Sequence, residues 1–78
     1  MKIRVTKETG FADITQGYLE VKIRPGTYLV EIRENPTGKN TSNWYIFTKP
    51  EEINPKLKGR IIGATICFVI INGFEIIK

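Results

Sequence analysis

The sequence predicts an all-β domain. The expected architecture is a small antiparallel barrel, OB-like or SH3-like, of about six short strands with one short helical turn. A small open β-sandwich is the alternative. Three observations predict this. Apolar residues recur with a period of two along most of the chain. Gly, Pro and Asn punctuate it at short intervals. And 78 residues without an internal repeat make one domain, 1–78.

Met1–Lys7 alternates, with Ile3 and Val5 on one face and Lys2, Arg4 and Thr6 on the other. Glu8-Thr9-Gly10 ends that strand, and Phe11–Thr15 forms a short second one closed by Gln16-Gly17. Tyr18–Arg24 puts Leu19, Val21 and Ile23 on one face before Pro25-Gly26 turns the chain. Tyr28, Val30 and Ile32 then alternate with Leu29, Glu31 and Arg33. Pairing Arg24 with Thr27 sets Ile23 against Tyr28, Val21 against Val30 and Leu19 against Ile32, so that all of them share a face.

Glu34–Asn43 is a polar loop, expected to be the most mobile stretch. Its Asn40-Thr41-Ser42 matches a glycosylation acceptor by chance. Trp44–Lys49 is a strand with Trp44 and Ile46 on one face and Tyr45 and Phe47 on the other. Lys49–Ile53 reads as one helical turn, with proline at its start and Glu51 and Glu52 complementing the dipole. Asn54-Pro55 stops it. Arg60–Ile71 reads as a long strand bulged at Gly63. Asn72-Gly73 is the signal of a type I′ hairpin, and Phe74–Lys78 is the returning strand.

Two stretches resemble known families. RPGTYLVEI is similar to the Pro-Gly-x-Tyr hairpin of prealbumin-like and collagen-adhesin-type sandwich modules, which implies an antiparallel hairpin. Residues 44–77 resemble the second half of cold-shock domains, which implies barrel architecture. The segment Val5–Phe11 lacks the glycine-flanked aromatic pair with which those domains stack bases.

Composition excludes most catalysis. The chain has no His, so there is no His-assisted nucleophile, His metal ligand or His pH switch. Cys67, between Ile66 and Phe68, reads as a small buried apolar residue. Glu51 and Glu52 are adjacent carboxylates, but neighbours on a helical turn point apart. The glycines are scattered singly, without a phosphate loop. The expectation is a non-enzymatic protein without metal, cofactor or small-molecule substrate. A lone Cys and the lack of an apolar leader in MKIRVTKETG point to the cytoplasm. The longest apolar run, Ile61–Ile71, spans 11 residues, short of the about 20 a membrane helix needs.

Two surfaces carry functional expectations. Lys49, Lys56, Lys58 and Arg60 form a basic loop beside Trp44 and Tyr45, with Phe47 on the same strand. Aromatic rings next to lysines suit single-stranded DNA or RNA, and the net charge of +4 agrees. The second surface is the C-terminal hairpin. One face carries Cys67, Val69, Ile71, Phe74 and Ile76; the opposite face is apolar too. A small domain with one core covers one such face, and the Pro50–Leu57 segment or a second chain covers the other. The leading expectation is therefore a protein-binding regulator or inhibitor, or a homodimer, acting through that hairpin or a sheet edge. Abundant Ile, Lys and Asn suit a virus-encoded protein. The nucleic-acid binder is the alternative.

Overall fold

The computed structural model describes residues 1–34 and 43–78. Most of the polar loop and its glycosylation-like triplet lie outside the described residues. The fold is mostly antiparallel sheet. Its strands are β1 (Lys2–Val5), β2 (Thr9–Asp13), β3 (Leu19–Ile23), β4 (Gly26–Arg33), β5 (Trp44–Phe47), β6 (Ile62–Thr65) and β7 (Glu75–Ile77). The order across the sheet is β3-β2-β6-β5-β4-β1-β7. Among the described residues seven strands replace the six expected.

The sheet curls because β4 serves two ladders. Its residues 26–29 pair with β1, and residues 30–33 pair with β5. One leaf is β7-β1 and the first half of β4; the other is the second half of β4 with β5, β6, β2 and β3. Among the described residues no ladder joins β3 to β7, so the barrel is open at that seam.

The core lies between the leaves. Period-two alternation sends Ile3 and Val5 inward from β1, Phe11 from β2, Ile23 from β3, Val30 from β4, Phe47 from β5 and Ile62 and Ala64 from β6. Phe11 is at its centre. Its ring centroid lies 5.1 Å from that of Phe47, 5.5 Å from Phe68 and 6.3 Å from Phe74. The Phe47 and Phe68 contacts are edge-on, the arrangement ring quadrupoles favour.

The central hairpin expectation is overturned. β3 pairs with β2, Val21 opposite Phe11 and Thr9 opposite Ile23, while β4 pairs with β1 and β5. Val21, Ile23, Tyr28 and Val30 do face the interior, but from different leaves. Alternation reports which face is buried and is silent on the neighbour across the ladder. Arg24-Pro25 is thus a corner between leaves, fastened by the Tyr28 hydroxyl donating to the Arg24 carbonyl at 2.7 Å.

The long C-terminal strand is overturned as well. After Thr65 the chain forms a helix, α1 (Ile66–Ile71). Thr65 caps it, its hydroxyl accepting from the Phe68 N–H at 3.2 Å. At the other end the Gly73 N–H donates to the Ile70 carbonyl and the Phe74 N–H to the Val69 carbonyl, with Gly73 at φ 69°. That is a Schellman motif, sealed by apolar Val69 and Phe74. Asn-Gly supplies left-handed backbone equally to a type I′ turn and to a helix end, so the same dipeptide marks both. β7 returns to β1, with Ile76 opposite Ile3.

The expected turn after β5 is present as a 3-10 turn, Pro50–Glu52, followed by a second at Pro55–Leu57. Ile53 and Leu57 pack against the core, so this segment covers apolar surface from within the chain.

Candidate functional site

The residues expected at a nucleic-acid surface are distributed by the pleat. Trp44 lies opposite Thr65, on the other face of the strand from Tyr45; Tyr45, opposite Ala64, packs against the core with Phe47, and Ile46, on the Trp44 face, is itself buried. Only Trp44 of that pair is thereby on the outer face. Its ring meets Tyr18 from the far side of the leaf, centroids 6.2 Å apart. Trp44 also lines a hollow with Gly10, Ala12 and Gly63, the last two directly paired. A side chain at Gly63 would place its Cβ 2.1 Å from the Tyr45 carbonyl oxygen, so no side chain fits there. This apolar hollow of about 170 Å³ is also lined by Phe11, Ala64 and Phe68. Tyr18 holds φ at 67°, a conformation rare outside glycine, and its N–H donates to the Asp13 carbonyl at 2.9 Å. No periodicity in the sequence signals Tyr18, which reaches Trp44 only through the sheet order.

The basic residues divide too. Arg60 is paired: its Nη1 lies 3.0 Å from Oδ2 of Asp13, a fully buried carboxylate. Oδ1 of that carboxylate accepts from the Thr15 N–H at 3.0 Å and from the Thr15 hydroxyl. Arg60, expected to hold phosphate, thus carries an ion pair and also lines a cleft with Lys58. Lys58 lines a cleft over Ile46 together with Arg33, which is itself paired with Glu31, and with Glu51 on its far wall. Lys49 and Lys56 are exposed outside that cleft.

The C-terminal residues expected to share one interface do not share a face. Val69 and Phe74 are core residues, 2% and 6% exposed. Ile76 is half-buried against the core. Cys67 is exposed, which corrects its expected burial, and Ile71 is 83% exposed. Cys67, Ile70 and Ile71 follow the i, i+3, i+4 spacing of one helix face. Ile70 is 70% exposed. The outward face of α1 is therefore apolar and bare of any other described element. Sequence reasoning missed Ile70 because a strand reading assigned it to the opposite face from Ile71.

A third surface lies beside β3, the last strand of its leaf. A cleft of about 540 Å³ runs between it and the 50–57 segment. Comparison with protein families, curated proteins and solved structures finds no match to this chain. Among the described residues no helix is long and apolar enough to cross a membrane.

Proposed function

We propose that this protein is a non-catalytic protein-binding module, a regulator or inhibitor that works by occupying a partner's surface. The observation that carries the reading is the outward face of α1, where Ile70 and Ile71 are 70% and 83% exposed on one short helix. Adjacent large apolar side chains left in water are unfavourable by about 1.5–3 kcal/mol each relative to full burial. A partner surface recovers that free energy, and occlusion needs no catalytic group. The first partner to test is a second copy. Size-exclusion chromatography with light scattering, at low and high salt, is expected to find a species larger than a monomer that persists at high salt. The double variant Ile70→Asp/Ile71→Asp is expected to be a folded monomer. A wild-type monomer at all concentrations would remove self-association.

The outward Trp44 supports a second reading, a single-stranded nucleic-acid binder. The Trp44–Tyr18 pair supplies a stacking platform, and Lys58 supplies positive charge at the neighbouring cleft. Trp44 is the only tryptophan, so its fluorescence reports binding directly. On this reading oligothymidylate quenches it, with affinity falling steeply as salt rises, and Lys56→Glu/Lys58→Glu abolishes the effect. Salt-insensitive or absent quenching removes the reading.

A further inference from the structure

We infer that the free edge of β3 accepts an extended acidic peptide as an added strand. This deepens the protein-binding reading at a surface separate from α1. Among the described residues β3 pairs with β2 alone. One edge of Leu19–Ile23 therefore offers main-chain donors and acceptors without a strand partner. The next carbonyl, Arg24, already accepts from the Tyr28 hydroxyl, which ends the free edge at the corner. Beside that edge runs the cleft lined by Val21, Lys22, Arg24, Tyr28, Ile53 and Leu57.

The lining selects the occupant. Val21, Ile53 and Leu57 give an apolar wall that one face of an extended peptide covers, since its side chains alternate. Lys22 on the strand and Arg24 at the corner just past it line the same cleft. Among the described lining residues Glu52 is the one carboxylate. Two cations against one acid favour a negatively charged strand. Main-chain bonds supply affinity in such strand addition, and the alternating side chains supply selection.

The test uses a capped synthetic peptide alternating valine with glutamate, a lysine counterpart, and a version N-methylated at alternate residues. Binding to the full chain is followed by fluorescence anisotropy. The glutamate peptide is expected to bind, and the lysine and N-methylated peptides to bind at least about tenfold more weakly. Lys22→Glu/Arg24→Glu is expected to weaken the glutamate peptide by about tenfold or more. Ile70→Asp/Ile71→Asp is expected to leave it unchanged, which separates this site from the α1 face. Equal binding of the two charged peptides overturns the acidic assignment. Undiminished binding of the N-methylated peptide overturns strand addition. Absence of glutamate-peptide binding near 1 mM, where binding free energy is only about 4 kcal/mol, overturns the site itself.

Discussion

Nη1 of Arg60 lies 3.0 Å from Oδ2 of Asp13, across 47 positions of sequence. Asp13 is fully buried and Arg60 keeps 36% of its side chain in water. The pair pins the tip of the β2–β3 hairpin to the segment entering β6, beside the Ile14 N–H donating to the Ile61 carbonyl at 2.8 Å. Its two ends are unequal. Removing the arginine leaves a buried carboxylate with only the Thr15 donors, whereas removing the charge on Asp13 leaves an arginine that turns to solvent. Arg60→Met is expected to cost roughly 3 kcal/mol and Asp13→Asn about 1–2 kcal/mol. Urea denaturation checks the order; an Arg60→Met effect no larger than that of Asp13→Asn contradicts it.

Gly63 is held by backbone. A Cβ there would lie 2.1 Å from the Tyr45 carbonyl oxygen and 2.8 Å from Ile46 Cδ1. Overpacking typically costs about 1–3 kcal/mol, and a carbonyl in a ladder yields less than a side chain does. Gly63→Ala is expected at or above the upper end, read from the thermal midpoint. A change below about 0.5 kcal/mol would mean that β5 and β6 separate more easily than their pairing implies.

Phe11 contacts the rings of Phe47, Phe68 and Phe74 and is 2% exposed. Phe11→Ala is expected to cost about 3–5 kcal/mol. A domain of this length holds only about 4–12 kcal/mol in all. Circular dichroism is expected to find a melting midpoint far below that of the wild type, and retention of the wild-type melt would contradict Phe11 as the centre of the core.

Aspartate substitutions along the C-terminal segment separate helix from hairpin. In a β-hairpin Val69, Ile71 and Phe74 lie on one face and respond alike. On α1 they do not. Val69→Asp and Phe74→Asp are expected to unfold the chain, because each buries an unpaired charge in the core. Ile71→Asp is expected to change stability by less than about 0.5 kcal/mol. Equal sensitivity at all three positions would restore the hairpin.

The ends of α1 offer an independent check. Thr65→Ala removes the hydroxyl that accepts from the Phe68 N–H and is expected to cost about 1 kcal/mol. Gly73→Ala is expected to cost about 1–2 kcal/mol, because φ at 69° crowds a Cβ. A strand in place of α1 has no use for the Thr65 hydroxyl as a cap, so a neutral Thr65→Ala argues against the helix.

The class of fold and most of the burial are written in the local pattern of the chain. Period two was legible at Ile3 and Val5, at Val21 and Ile23, at Val30 and along Trp44–Phe47, because a pleated strand turns alternate side chains to opposite sides regardless of what lies beside it. Tertiary structure decided what alternation does not encode. The alternating Val21 and Ile23 do not reveal whether β2 or β4 is the neighbour, since pairing is a long-range choice between equally apolar faces. Ile66–Ile71 is less than two helical turns, too short for a 3.6-residue period to stand out against a run apolar at nearly every position. Only in the fold do Val69 and Phe74 turn inward while Ile70 and Ile71 meet water. Trp44 finds Tyr18 and Arg60 finds Asp13 for the same reason: strand order, not spacing along the chain, brings distant side chains together.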